Sequence, residues 1–346
     1  MKRHGNLWES FVSKENLHLA FKKARKNKNW QSKIQRLLPK EDKLIDELHE
    51  SLIAGTFTTS EYRTKRIFEP KERLIYILPF YPDRVVHHAI MNVLEPIWDN
   101  LLISDSYACR VGKGQHSGSR RCMEFVRRFK YCLKCDVSKF YPSVDHAILK
   151  VIIRKKLKDD RLLSVLDNII DSVEGGKNVP IGNFLSQWFG NIYLNELDMW
   201  IKHEKKVKPY LRYCDDFCLF SNDKAELHQL GREIKTFCAE RLSLRLSKCE
   251  VFPTTQGVDF LGYRHFAQGY ILVRKSTAKR MFKRLAKIPE RLDKGKLTHI
   301  QAVSQVASAE GWLKHANAHN LGKALKLEHL KEVLKTYDDH SHEEVQ

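Results

Sequence analysis

Two apolar runs, Tyr210-Leu211-Arg212-Tyr213 and Phe217-Cys218-Leu219-Phe220, flank the adjacent acids Asp215 and Asp216. Each run is too short for a helix, and two neighbouring carboxylates cannot be sunk unpaired into an apolar core. The chain therefore has to turn back at the acids, as strand, tight turn, strand, with the carboxylates at the tip. A third carboxylate, Asp136, ends another apolar run, Tyr131-Cys132-Leu133-Lys134-Cys135, 79 residues before Asp215. A strand-end carboxylate beside a doublet on a hairpin tip can hold two Mg²⁺ ions about 3.5–4 Å apart. Such ions would activate a hydroxyl nucleophile and hold a triphosphate with its leaving pyrophosphate. An Asp-Asp doublet taken alone is more often an ordinary turn.

Charge narrows the choice of partner. The 346 residues carry 61 Lys and Arg against 42 Asp and Glu, a formal charge of +19. Hydrophobic residues still make up 42% of the chain, which excludes a disordered polybasic tail. The implied class is a globular protein with a polyanionic partner, nucleic acid before an acidic membrane surface. No apolar stretch approaches the roughly 20 residues of a membrane span, and the N-terminus leads into no apolar signal core. A cytoplasmic protein with no membrane partner is expected. The eight cysteines include one CxxC, Cys132 and Cys135, which an extended segment would point to opposite faces. Buried thiols are expected there rather than zinc.

The basic residues are concentrated at both ends. Eleven fall in the first forty positions against Glu9 and Glu15, most densely at Lys22, Lys23, Arg25 and Lys26. Near the C-terminus, Lys275, Lys279, Lys283 and Lys287 recur every fourth residue with Arg280 and Arg284 alongside. On one helix they would lay a basic stripe along a phosphate backbone, with Met281, Phe282, Leu285 and Ile288 on the apolar side. Between these ends, residues 41–55 read as a helix, 61–82 as paired strands, and Asp83 as the N-cap of a helix running to Pro96. Residues 147–172, 186–203 and 223–242 read as mostly helical, residues 249–253, 258–263 and 270–273 as strands, and the last eighty residues as helical.

The motifs, taken in order, resemble those of the reverse transcriptases. Arg66 to Pro79 with Asp83-Arg84-Val85-Val86-His87-His88-Ala89-Ile90 is similar to the first fingers block, and Ser106 to Gly114 to the second. Cys135-Asp136-Val137-Ser138-Lys139-Phe140-Tyr141 resembles palm motif A, Tyr213-Cys214-Asp215-Asp216 the motif C box, and Leu261-Gly262-Tyr263 the primer grip. The resemblance implies an α+β right-hand polymerase with a ferredoxin-like antiparallel palm and a helical thumb. It divides the chain into a basic helical extension (1–60), fingers and palm (61–265), and thumb with tail (266–346). No maturase, endonuclease or RNase H segment remains to be placed. Motif B reads Pro180-Ile181-Gly182-Asn183-Phe184-Leu185-Ser186-Gln187, with Ile181 where most relatives carry glutamine and Gln187 where they carry proline. That form is similar to the enzymes of diversity-generating retroelements.

This resemblance implies residue roles and partners. Asp136, Asp215 and Asp216, with the Val137 carbonyl, would be ligands of two Mg²⁺, Mn²⁺ being a substitute. Arg73, with Lys71 as a second candidate, would meet the incoming triphosphate. Tyr141, beside Phe140, would be the steric gate against a ribose hydroxyl. Gly182 would let the backbone approach the nascent pair, and Lys248 would protonate pyrophosphate from a motif D loop. The implied activity is RNA-directed synthesis of cDNA from a template-repeat RNA and deoxynucleoside triphosphates, with errors at template adenines. The implied partner is a small, basic, helical, oligomeric accessory protein. A retron-like or phage-defence reverse transcriptase and a nucleic-acid-binding protein with a vestigial site remain open as alternatives.

Overall fold

A computed structural model describes residues 3–68 and 72–343, with side chains described to residue 336. The chain divides into two compact units, both discontinuous in sequence.

The first unit comprises Met1–Gly112, Lys134–Phe217 and Gln229–Cys249. Its N-terminal residues have no core of their own. The helices Trp8–Val12 and Lys14–Ala24 bury Phe11, Leu17 and Phe21 completely, and the second of them packs along the helix Val85–Asp99. Asn16 fastens that contact by donating to the Ala89 carbonyl at 3.1 Å, while Asn92 donates to Asn16 at 2.8 Å. Residues 1–60, expected as an extension, are therefore part of the unit that carries the acids.

Strands β1 (Arg63–Ile67) and β2 (Arg73–Ile77) form an antiparallel hairpin with Arg63 opposite Ile77 and Ile67 opposite Arg73. Asp83 is no N-cap. It is fully buried and accepts a 2.9 Å bond from the Ser60 N–H, and the helix after it starts behind Arg84 and runs on through Pro96 to Asp99. Strands β3 (Tyr131–Val137), β4 (Tyr210–Tyr213), β5 (Asp216–Ser221) and β6 (Leu246–Pro253) form a sheet in the order β4-β5-β3-β6. Successive residues such as Phe217, Cys218 and Leu219 are all fully buried, so both faces of the sheet are covered. Cys132 and Cys135 are buried, as the strand reading anticipated. The helix Phe184–Met199 is buried on nearly every side, and the π-helical turn Trp200–Glu204 continues it.

His87, on the Val85–Asp99 helix, is fully enclosed, and burial followed by the charges of His88 and Arg84 pushes its pKa down to about 3. Folded His87 stays neutral while the unfolded chain takes up a proton near pH 6.5. The stability that it contributes is thus fully present above pH 6.5 and is lost as pH falls toward 3, at about 1.4 kcal/mol per pH unit. Urea denaturation at pH 7 and pH 5 should show a loss about 2 kcal/mol smaller in His87→Gln than in the wild type. Equal losses would mean that other groups set the acid sensitivity.

The second unit comprises Lys113–Leu133, Cys218–His228 and Glu250–Gln346. Strands β7 (Val258–Phe260), β8 (Tyr263–His265) and β9 (Ile271–Val273) form an antiparallel meander, Val258 facing His265 and Tyr263 facing Val273. The single strand expected over 258–263 is a hairpin instead. Leu261 and Gly262 both take positive φ, 57° and 80°, which is a two-residue turn whose twist suits paired strands. A Cβ on Gly262 would come within 2.6 Å of the Trp312 indole, so glycine is needed for space as well as for conformation.

The helices Lys275–Leu285, Ile288–Asp293, His299–Lys314 and Leu327–Glu343 share a core of Met281, Leu285, Ile288, Val306 and Leu330. Lys275, Lys279, Arg280, Lys283 and Arg284 are exposed on the first of them. That helix stops at Leu285, so Lys287 falls outside the stripe and caps the next helix, where Pro289 starts a new direction. Phe282, expected on the apolar side, is 39% exposed among the bases.

Candidate active site

The sheet order decides which acids meet. Because β3 lies between β5 and β6, Asp136 sits beside both the β4–β5 tip and Ser247. Cys214 and Asp215 make the tight turn, Cys214 with φ 53°, and Asp216 is already the first residue of β5. The Val137 N–H donates to the Asp215 carbonyl at 3.3 Å, which ties the turn to the end of β3. Ser247 Oγ donates to Asp136 Oδ2 at 2.7 Å and orients that carboxylate. Burial, then the charges of Asp136 and Asp216, raise the Asp215 pKa to about 6, while the Arg73 guanidinium pulls it back down. Three carboxylates and the β2 arginine thus share one electrostatic field.

The third acid has a partner that sequence reasoning did not name. Lys134, two residues before Asp136 on β3 and only 7% exposed, ion-pairs with Asp216. Residues two apart on a strand share a face, so the lysine and Asp136 emerge on the same side. Asp216, expected as a third metal ligand, is held by this ammonium. Among the described residues, no three His, Cys, Asp or Glu side chains are gathered as a ready-made metal cage. Asp136 and Asp215 nonetheless fit a hard divalent cation, since both offer carboxylate oxygens and burial penalises the charge on Asp215.

The floor beneath the turn is a buried polar network. Arg212, fully buried, donates from Nε to Asp198 at 2.8 and 3.0 Å and from Nη1 to the Cys214 carbonyl at 3.0 Å. Tyr210 Oη donates to the same Asp198 at 2.5 Å. The segment before Cys109 runs alongside β4, with the Tyr107 N–H donating to the Arg212 carbonyl at 3.0 Å. Tyr141 packs against Phe140 and against the backbone at Gly190, where a Cβ would stand 3.0 Å from the Phe140 ring and 3.3 Å from the Tyr141 ring. Burial pushes the pKa of its phenol well above the ordinary value. The Cys109 and Cys214 thiols perturb each other, which lowers the Cys109 pKa and, together with burial, raises that of Cys214.

The family model for reverse transcriptase (RNA-dependent DNA polymerase) matches residues 66–265, more than half of the chain. The chain belongs to the reverse transcriptase family. Protein YkfC of Escherichia coli is 26% identical over 270 residues, 63% of this chain and 70% of that protein. The group II intron-encoded protein LtrA of Lactococcus lactis is 20% identical over 293 residues, 63% of this reverse transcriptase and 49% of LtrA. Nuclear intron maturase 1 of Arabidopsis thaliana is 28% identical over 109 residues, and this chain spans 14% of it. A solved structure of apo telomerase from Candida tropicalis, truncated from its C-terminal domain, superposes with a TM-score of 0.47 at 13% identity, over 66% of this chain and 59% of that one. Helices with antiparallel sheets, in a reverse transcriptase, make this an α+β protein of the right-hand polymerase class.

The remaining expected site residues of this reverse transcriptase divide into those near the acids and those elsewhere. Arg73 is exposed at the start of β2, within electrostatic reach of Asp215. Lys71 lies outside the described residues. The Ile181 carbonyl accepts a 2.8 Å bond from the Tyr76 N–H, so the motif B loop docks on β2. Gly182, at φ 115°, leaves no room there, because a Cβ would stand 2.6 Å from the Tyr76 carbonyl oxygen. Gln187 is exposed on the following helix. Lys248 corrects an expectation, since it stands within β6 and not on a loop. Strand alternation turns it to the face opposite Ser247, the residue that touches Asp136.

In the N-terminal cluster, Lys22 and Lys26 are exposed, whereas Lys23 donates to Asn92 at 2.6 Å and Arg25 to Asn29 at 3.4 Å. Sequence reasoning missed Lys134, Ser247, Gly190 and the Arg212–Asp198 pair. Only Lys134 and Arg212 left a signal, as single charges inside apolar strands.

Proposed function

We propose that this chain copies a template-repeat RNA into cDNA with errors at template adenines, as the polymerase of a diversity-generating retroelement. The observation that carries the polymerase chemistry is the shared field of Asp136, Asp215, Asp216 and Arg73 around one hairpin tip. Asp136 and Asp215 would hold divalent cations, Mg²⁺ being the hard ion that suits carboxylate oxygens. When bound, such ions supply activation of a primer 3′-hydroxyl and charge neutralisation at the pyrophosphate. The protein does the positioning. Ser247 fixes the Asp136 carboxylate, Lys134 holds Asp216, and Arg73 offers a guanidinium to the triphosphate. Tyr141, wedged against Gly190, would serve as the steric gate against a ribose hydroxyl.

The subtype rests on Ile181. Its carbonyl is anchored to β2, but its half-buried side chain offers neither donor nor acceptor to an incoming nucleotide. A correct pair then lacks a polar anchor, and a mispair, already displaced, has less to lose. A missing hydrogen bond of about 0.5–1.5 kcal/mol narrows discrimination severalfold to tenfold. The test is the error spectrum of cDNA made on one defined RNA by the wild type and by Ile181→Gln. The variant should make severalfold fewer errors opposite adenine, whereas equal spectra from two active enzymes would move infidelity elsewhere in the pocket.

The intron-encoded and maturase relatives favour a second reading, an intron-associated reverse transcriptase. Sequencing the flanking DNA separates the two. Paired template and variable repeats beside a gene for a small basic helical protein support the first reading, and intron RNA boundaries support the second.

A further inference from the structure

The loop that follows the helix Lys14–Ala24 presents an aromatic ring to solvent amid cations. Trp30 is 77% exposed, the most exposed aromatic side chain among the described residues. Its indole Nε1–H, the one polar group that the ring has, donates to the Asn27 carbonyl at 3.1 Å. The ring is therefore left with its π surface to offer a partner, and no hydrogen bond. The loop beneath it is fixed. Asn27 takes φ 61°, the Lys28 N–H bonds the Arg25 carbonyl, and the Gln31 N–H bonds the Lys28 carbonyl, both at 2.9 Å. Lys28 Nζ donates back to the Ala24 carbonyl at 3.2 Å, and Ala24 and Ile34, on either side of the loop, are buried. Seven Lys and Arg lie from Lys22 to Arg36, and no Asp or Glu from Asn16 to Lys40. Four of the seven, Lys22, Lys26, Lys33 and Arg36, are exposed.

We propose that Trp30 is a stacking platform for a base of unpaired RNA. Lys22 and Lys26 before it, and Lys33 and Arg36 after it, take the flanking phosphates. The choice of RNA rests on the polymerase reading above; the preference for an unpaired strand rests on the indole. An exposed aromatic ring accepts any nucleobase, because every base has a π face, and cations on either side follow the backbone. Within a duplex both faces of each interior base are covered by its neighbours, so the indole selects a strand whose bases can leave the stack. The cations alone would hold paired and unpaired strands alike, since they read only phosphate charge. An acidic membrane surface is the rival partner for a basic loop that carries a tryptophan. Here the chain neighbours of the ring, Asn27, Asn29, Gln31 and Ser32, are polar, which leaves one indole and no apolar face to insert. None of these residues belongs to the motifs around the acids, so the platform holds RNA without taking part in the chemistry.

The experiment measures filter binding of the full chain to a short RNA without self-complementarity, and to the same RNA annealed to its complement, over a salt series. Trp30→Ala should weaken binding of the single strand about tenfold and leave the duplex within about twofold. Its log–log salt slope should stay at the wild-type value, because no phosphate contact is lost, and Trp30→Phe should recover most of the affinity. Lys33→Gln combined with Arg36→Gln should instead flatten the slope, by ~0.7 for each contact. Equal losses on the two RNAs, or single-strand binding unchanged in Trp30→Ala, would overturn the proposal. So would tighter, Trp30-dependent binding to phosphatidylglycerol vesicles, which would give the loop to a membrane. Primer extension by the wild type is scored separately. A chain that makes no DNA yet holds the single strand through Trp30 keeps the platform and overturns the polymerase reading instead.

Discussion

Asp215→Asn is expected to lower Mg²⁺-dependent cDNA synthesis on the order of a thousandfold while leaving RNA binding within about twofold. Asparagine keeps the size of the side chain and the φ and ψ of the turn, but removes the charge that faces Asp136, Asp216 and Arg73. Binding should survive because the exposed bases are distant in sequence, Lys22 and Lys26 in the first unit and the Lys275–Leu285 helix in the second. Primer extension and filter binding on the same RNA would check both halves. Extension within tenfold of the wild type would remove Asp215 from the chemistry, and a parallel loss of binding would mean that the substitution had disturbed the fold.

A second large effect is expected one layer below the turn. Asp198→Ala should destabilise the first unit by about 3–5 kcal/mol, because it strands the Arg212 guanidinium without a counter-charge at a site with no solvent exposure. Tyr210, equally buried, loses the acceptor for its hydroxyl in the same step. Chemical denaturation measures the loss, and a change below about 1 kcal/mol would show that water or a rearranged Asn191 replaces the aspartate. Any surviving fold should also lose activity, since Arg212 holds the Cys214 carbonyl at the base of the acid-bearing turn.

The two experiments separate kinds of residue that the sequence displays very differently. Asp215 stands out because a carboxylate between apolar strands has to be explained. Asp198 is inconspicuous, one acid on a long helix, and its importance comes from the fully buried Arg212 to which it is bonded. Likewise Ser247 is one of many serines until the β4-β5-β3-β6 order sets it next to Asp136. Lys248 illustrates the converse. The family resemblance implied a loop donor, but strand pairing from Leu246 onward puts it on the face opposite Ser247.

What the sequence determined was everything that follows from local chemistry: the hairpin at Asp215 and Asp216, the buried thiols of β3, the basic C-terminal helix and the order of motifs that identifies the family. Periodicity and turn preferences act over a few residues, so they survive in a one-dimensional reading. What only the tertiary structure decided was which side chains share a site. Lys134 against Asp216, the Tyr76 backbone against Ile181 and Gly182, and Gly190 beneath Tyr141 are pairs separated by 49 to 106 residues. Their proximity depends on strand order and on helix packing. Both are settled by burial of the whole core, and no local pattern encodes them.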